Sequence, residues 1–461
     1  MATPYTTPTE LTPTASKSVT AGSYIDFENL DNAWAQQYLP ELYEQEVERY
    51  GDRTISGFLR LVGAEMPMES DQVIWEEQGR LHLSYTGATM AANSGGTNVV
   101  TTTAAHAVRV NQTVVITDNA AIAFRALVTA VSSTTLTLDS YTDAIGLGTT
   151  GGGDGLVEGS AQIKFFVFGS EFGKGTDGMQ ESIAPDVHVF SNKPIILKDN
   201  FEVNGSDIAQ IGWIDAETEN GTSGYLWYLK AQGDTKTRFA DYCEMACLES
   251  VSATNAGLGV DGTQGMFDAI SSRGIVASSA FDVAADVIED FDFLVKELDK
   301  QGSIEENMMY IQRDMSIAID SGLATANSYG TGGTSYGVFN NDADMALNLG
   351  FTGVRRGSYD FYKSDWKYLN NFSTRGTFTD VQGVVVPAGT TTVYDQTMGK
   401  NVRRPFLHVR YRANAQTNRK MKSWITGAEA GNSTVDEMRV SFLDERCLVT
   451  QAANNFVLFN A

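Results

Sequence analysis

The sequence predicts an α+β protein interrupted by an all-β insertion, and three observations carry that expectation. A helix, a strand and a second helix follow one another within about forty residues around position 300. From Val384 onward the apolar runs are short and β-like. Between about Asn93 and Gly159 the chain holds no lysine and only two arginines, Arg109 and Arg125, while Thr, Val, Ala and Gly dominate. With 461 residues and 42% hydrophobic content, there is apolar material for roughly two or three domains.

Taken in order, the first ~25 residues are rich in Thr, Ser and Pro and poor in large apolar side chains, so they read as an arm without a core of its own. A frayed terminus is the plain alternative. Leu39, Leu42, Tyr43, Val47 and Tyr50 then follow helical steps, Pro40 and Glu41 suit a first turn, and Gly51 stops the helix. Val73, Trp75, Leu81, Leu83 and Tyr85 alternate around Gly79-Arg80, which predicts either a β-hairpin or a long two-stranded excursion. The insertion supplies short β runs at Asn98–Thr102, Thr113–Thr117, Phe124–Val131 and Thr134–Leu138, closed by the flexible Gly151–Gly155 tract. Because β character resumes at Ile163–Phe168, Val187, Val189 and Ile195–Leu197, the module is expected inside an extended loop.

The longest predicted helix runs from Tyr225 to about Leu248, with Leu226, Leu229, Phe239, Tyr242, Cys243, Ala246 and Cys247 as its apolar stripe. Gly233 inside it costs about 1 kcal/mol relative to Ala, enough to invite a bend or break. Phe281 and Asp282 introduce a second helix, in which Ala284, Val287, Ile288, Phe291, Leu294, Val295 and Leu298 share a face and Gln301-Gly302 ends the run. Such side chains contribute roughly 1.5 to 3 kcal/mol each when fully buried, so this helix belongs to a core. A strand at Met308–Gln312 and a helix from Asp314 through Ile317 to Leu323 follow. Strands are expected at Val384–Val386, Thr391–Tyr394, Phe406–Tyr411, Met438–Phe442 and Phe456–Phe459, the last docking into a sheet.

Catalytic patterns are sparse. The four histidines, His82, His106, His188 and His408, are far apart, and no Cys-x-x-Cys or His-x-x-x-His pair offers zinc spacing. Cys243 and Cys247 are four apart, which suits small residues on a core stripe. There is no nucleophile elbow between a strand and a helix, no phosphate-binding loop and no dinucleotide fingerprint, so neither a cofactor nor an enzymatic activity is expected. Three cysteines do not make a disulfide framework, and together with the polar first residues they suit the cytosolic side. No apolar run reaches the ~18 residues of a membrane span. The formal charge of -24 argues against a general nucleic-acid binder and suits a protein kept soluble at high concentration.

Against that acidity, Lys400, Arg403, Arg404, Arg410, Arg412, Arg419, Lys420 and Lys422 follow one another with no acid between Asp395 and Glu429. Such segregation requires a partner: DNA, acidic faces of neighbouring copies, or acids within the same subunit. The strip interleaves with core-type Phe406, Leu407 and Trp424, which favours contacts between subunits for Arg403, Arg404, Arg410, Arg412, Arg419, Lys420 and Lys422.

This order of parts resembles the major capsid proteins of tailed bacteriophages with the Hong Kong 97 fold. The stretch Glu44–Tyr85, with Tyr50-Gly51-Asp52-Arg53 and Gly79-Arg80-Leu81-His82, is similar to podovirus coat proteins, the crAss-like group among them. The resemblance implies an N-terminal arm over 1–51 and an E-loop over 63–200 holding the β domain at 93–159. It also implies a peripheral domain with its spine helix over 201–252 and 363–461, and an axial domain over 253–362. The expected function is self-assembly, as hexamers and pentamers, into an icosahedral head around double-stranded DNA. Portal, scaffolding or head decoration proteins are the implied partners, with assembly in the host bacterial cytoplasm and residence in the virion. A tail or fibre component is one alternative, although no internal repeat is present; a cytosolic enzyme with an accessory β domain is the other.

Overall fold

The computed structural model describes residues 64–90, 98–117, 123–141, 163–180, 182–184, 187–208, 216–217, 223–224, 227–281, 283, 286–302, 304–327, 353–378, 380–395, 400–427, 431 and 433–461. The predicted arm, its helix and the Gly151–Gly155 tract lie outside these residues. The chain divides into two compact units, a body drawn from the chain up to Trp75 and from Ser191 to Ala461, and a second unit from Glu76 to Phe190.

One sheet of the body is organised by a single long strand, β22 (Glu437–Thr450). Its first part pairs antiparallel with β10 (Ile195–Asn204) on one side and with β21 (Lys422–Gly427) on the other. Its last part pairs with β20 (Leu407–Arg412), which in turn holds β1 (Glu65–Met68) in parallel. Helix α1 (Trp227–Glu249) packs on this sheet, burying Phe239 and Cys243 against Val440 and Phe442. The helix runs uninterrupted through Gly233, where a Cβ would meet open space. The penalty expected there is met by the rest of the apolar stripe, because tertiary packing outweighs intrinsic propensity.

The second sheet has six strands in the order β13 (Ile275–Ser278), β23 (Val457–Asn460), β17 (Val381–Pro387), β14 (Glu306–Ile311), β16 (Tyr359–Asp365) and β15 (Gly353–Arg356). Alternation along its central strands feeds two cores. Val385, Val457 and Phe459 face α3 (Val287–Gln301) and α4 (Arg313–Asn327), joining Phe291, Leu294, Leu298 and Ile319. Val384, Val386 and Leu458 face the opposite way, joining Met266, Phe267 and Ile270 of α2 (Met266–Arg273), together with Trp366 and Leu448. A strand buried on both faces reads as a continuous apolar run, which is the character of Val384-Val385-Val386 and Phe456-Val457-Leu458-Phe459. The C-terminal strand docks as expected, between β13 and β17. Strands from both segments that the resemblance separates as axial and peripheral share this sheet.

The second predicted helix begins at Val287 rather than at Asp282. The reason lies in Phe281, which takes a left-handed φ of 61° and seats its ring 4.8 Å from Phe291 and 5.6 Å from Phe459. Its backbone N–H donates to Asp290 Oδ2 at 2.7 Å, so the chain turns on a core aromatic before the helix starts. Two small ladders complete the body: β18 (Thr390–Asp395) with β19 (Lys400–Pro405), and β11 (Ala216–Glu217) with β12 (Ser223–Gly224).

Of the two readings of Gln72–Tyr85, the two-stranded excursion is the one observed: β2 (Val73–Gln78) pairs with β9 (Val187–Asn192), over a hundred residues away. A hairpin is precluded because β3 (Ser84–Met90) commits Ala88 and Met90 to a different core. Where β9 ends, the buried Asn192 uses its whole amide: Nδ2 donates to the carbonyls of Leu448 (2.6 Å) and Gln264 (3.0 Å), and Oδ1 accepts from Gln264 N (2.8 Å) and the Thr263 hydroxyl (3.2 Å).

The second unit is a closed barrel in the order β3, β4 (Asn98–Thr101), β7 (Thr135–Ser140), β6 (Ala123–Val131), β5 (Gln112–Thr117) and β8 (Ile163–Ser170). Period-two alternation sends Val100, Val114, Ile116, Ala126, Val128, Leu136, Leu138, Ile163 and Phe165 inward to one apolar core. The four inner runs match the sequence expectation to within a residue or two. The barrel, however, closes only through β3 and β8, which lie outside the 93–159 segment. Closure leaves no sheet edge, and four strands alone would have left two.

Candidate functional site

The basic strip runs along β19, through β20, and around a turn onto β21. Asn414 builds the turn by accepting the backbone N–H groups of Gln416 (3.0 Å) and Thr417 (2.7 Å) on Oδ1. The returning chain is tied by Arg419 N–H to the Arg412 carbonyl at 3.0 Å, and Lys420 Nζ lies 5.2 Å from the centre of the Tyr411 ring.

Of the predicted contact residues, Arg412, Arg419 and Lys420 meet acids of their own chain. Arg412 pairs with Asp71 and approaches Glu445 Oε1 at 3.5 Å, Arg419 reaches Glu445 Oε2 at 2.5 Å, and Lys420 pairs with Glu65. Arg410 Nη1 donates to the Pro67 carbonyl at 3.3 Å and Arg412 Nη1 to that of Glu69 at 3.0 Å, so the strip also clasps the β1 backbone. Lys422 is exposed and makes no ion pair among the described residues. Arg403 and Arg404 lie on β19, the side chain of Arg403 being outside the described set.

Beneath the strip, β22 buries three consecutive charged residues, Asp444, Glu445 and Arg446. Glu445 is the acid held by Arg412 and Arg419. Its neighbours form their own pair: Arg446 Nε and Nη2 both bond Asp444, the second at 2.9 Å, while Asp444 Oδ1 also accepts Met421 N–H at 2.8 Å. Burial opposes the Arg446 charge, but the bond to Asp444 outweighs it and holds the guanidinium above its usual range. Burial pushes the Cys247 and Cys447 thiols up to about 12, and Cys243 is raised by the same cause, so all three are protonated at neutral pH. This agrees with Cys243 and Cys247 as small core residues. Burial, reinforced by Arg410, pushes His408 down to about 4; its Nδ1 lies 3.0 Å from the Pro405 carbonyl.

A second cluster that the sequence reading missed closes the end of α1. Arg375 grips Glu249 with two nitrogens, at 2.6 and 2.7 Å, and Asp380 with a third at 2.7 Å, while the Tyr368 hydroxyl donates to Glu249 at 2.5 Å. The guanidinium also lies 5.2 Å from the Phe267 ring centre. These partners are separated by up to 126 residues, so no local pattern announces them. Among the described residues no group of three or more His, Cys, Asp and Glu side chains is placed to hold a metal ion. No helix among them is long and apolar enough to cross a membrane.

No protein-family model and no curated protein matches this sequence. Solved structures do resemble the fold. One, "Gordonia phage Cozz", aligns over 97% of this chain and 99% of its own with a TM-score of 0.44 and 9% identity. The capsid of an empty GTA particle aligns over 94% and 98%, with a TM-score of 0.40 and 10% identity. The capsid of cyanophage P-SCSP1u aligns over 92% and 93%, with a TM-score of 0.38 and 11% identity. All three come from phages or from capsids.

Proposed function

We propose that this chain is a tailed-phage major capsid protein of the Hong Kong 97 type, a structural subunit rather than a catalyst. The observation that carries the reading is the path of the excursion. The chain leaves the β22 sheet after β1, runs out along β2, returns along β9, and re-enters the same sheet as β10, beside which the long helix α1 is packed. A two-stranded arm rooted in a helix-backed sheet is a device for reaching a neighbour, and an arm of two strands is marginal until something covers it. On this reading β2 and β9 belong to the E-loop, α1 is the spine helix, and the six-stranded sheet lies largely in the axial domain.

Copies assemble as hexamers and pentamers into an icosahedral head that encloses double-stranded DNA, with portal and scaffolding or decoration proteins as further partners. Assembly takes place in the host cytoplasm. Arg412, Arg419 and Lys420 then have a framing role, holding β1 and the β20–β21 turn, and the contacts between subunits are assigned to Arg403, Arg404, Arg410 and Lys422, the last on the strand that exposes Trp424 and Ile425. Light scattering and negative-stain microscopy of the purified protein test the proposal: capsomers or megadalton shells are expected, and a monomer under all assembly conditions would overturn it.

A further inference from the structure

β2 and β9 are exposed or half-exposed along most of their length, and each buries a single residue: Trp75 on β2, 7% exposed, and Asn192 on β9, 4% exposed. A two-stranded ladder has no core in which to bury a side chain, and asparagine is disfavoured in strands, so both positions require a partner outside the ladder. The partner is the same for both. Residues 263–273, the approach to α2 and α2 itself, hold Asn192 through Thr263 and Gln264 and face Trp75 with Arg273.

Gln264 joins the two attachments. Its main chain serves β9: the N–H donates to Asn192 Oδ1 at 2.8 Å and the carbonyl accepts from Asn192 Nδ2 at 3.0 Å. Its side chain serves β2: Oε1 accepts from Arg273 Nη2 at 3.2 Å, and the Arg273 guanidinium carbon lies 5.7 Å from the centre of the Trp75 ring. Gln264 Nε2 donates to Asp268 Oδ2 at 2.9 Å, which fixes the orientation of the amide. The loop carrying Gln264 is itself anchored, with Gly265 N–H donating to the Ser250 carbonyl at 2.7 Å and Ala253 N–H to that of Asp261 at 2.8 Å. Gly262, at a φ of 66°, sits where a Cβ would meet the Val251 carbonyl at 2.5 Å, so the loop lies directly against the chain that leaves α1.

We propose that Gln264 and Arg273 form a clamp through which the body of a single subunit holds both roots of the excursion, at Trp75 and at Asn192. Fastening both roots to one fixed loop supplies within the subunit part of the ordering that assembly would otherwise have to impose, and such preorganisation strengthens association. That last step rests on the coat-protein reading, and the clamp does not.

The test uses the full-length protein and the variants Gln264→Ala and Arg273→Ala, which leave the β2–β9 ladder and the Asn192 side chain in place. In unassembled protein, amide hydrogen exchange read by mass spectrometry is expected to quicken about tenfold over 73–78 and 187–192 in both variants, with 440–448 of β22 unchanged. Lys300→Ala, which breaks an exposed pair on α3, should leave both strands as they are. Unchanged exchange in both variants overturns the clamp. So does a rise shared equally by 440–448, which would make the two residues ordinary contributors to body stability, or a rise confined to 73–78, which would detach β9 from the device. The concentration at which the protein assembles, followed by light scattering, should increase for the same variants. Raised exchange with an unaltered assembly concentration removes the preorganisation step and keeps the clamp, whereas a wild type that never assembles overturns the coat reading alone.

Discussion

The barrel and the body solve the burial problem differently. The barrel gathers its apolar side chains into one core and, among the described residues, buries polar Asn98, Gln112 and Thr113 but no charged side chain. The body buries Asp444, Glu445 and Arg446 on one strand and half-buries Arg375 over Phe267; Asp444 and Arg446 pair with each other two residues apart, while Glu445 and Arg375 take their partners from other segments. An apolar core tolerates substitution in proportion to lost volume, but a buried ion pair fails sharply when one member is removed. The barrel is therefore expected to be forgiving and modular, while the body is specific and brittle.

The largest expected effect breaks the body's pair. Asp444→Ala leaves Arg446 buried and uncompensated and should cost about 4 to 5 kcal/mol, seen as a collapse of the urea midpoint or as insoluble protein. Asp444→Leu/Arg446→Met removes both charges and should recover most of that loss; if the double variant is as unstable as the single, the comparison is wrong. In the barrel, Leu136→Ala should cost about 3 to 4 kcal/mol through transfer and cavity terms. Its effect should be confined to the barrel's own unfolding transition, as followed by hydrogen exchange, and a shift in the body's protection would deny the modularity.

Proton linkage separates the regions further. His408 has a folded pKa of about 4 against an ordinary 6.5, so the unfolded chain binds the extra proton between those values. The folded state keeps the neutral imidazole's stabilisation above pH 6.5 and loses it as pH falls toward 4, by up to roughly 3 kcal/mol. His408→Gln should flatten that part of the stability profile relative to wild type, measured as the urea midpoint from pH 4 to 7. The smallest effect is at the surface: Lys193 and Asp261 form an exposed pair at 2.8 Å, and Asp261→Asn should lower the unfolding free energy measured in urea by less than about 0.5 kcal/mol.

What could be read in the sequence was local. Strand runs, α1, the core face of α3 and the inserted character of the β segment all rest on periodicity and composition, and they hold within a few residues except at β22, which continues eight residues past the expected end at Phe442. Long-range pairing was not legible. That Glu65 and Asp71 would meet Lys420 and Arg412, 355 and 341 residues away, depends on β1 lying parallel to β20, which neither segment encodes alone. The barrel's closing strands were misassigned for the same reason: β8 resembles any other apolar run until its partners are known. One signal was present and unused. Phe165-Phe166-Val167-Phe168 is apolar at every position, and a strand facing water on one side cannot be so without leaving rings exposed.

The position of β23 has a consequence for the order of events during synthesis. Residues 457–460 fill the slot between β13 and β17, so a nascent chain that has not reached them has a gap inside the six-stranded sheet and two open apolar cores. The barrel strands are all available once Ser170 has emerged. Translation thus completes the barrel while the body stays unfinished for some 290 further residues, roughly 15 to 60 seconds at synthesis rates of about 5 to 20 residues per second. The cores on either side of that sheet remain unsealed until residues 457–460 have emerged, so a product interrupted before them carries an open apolar slot.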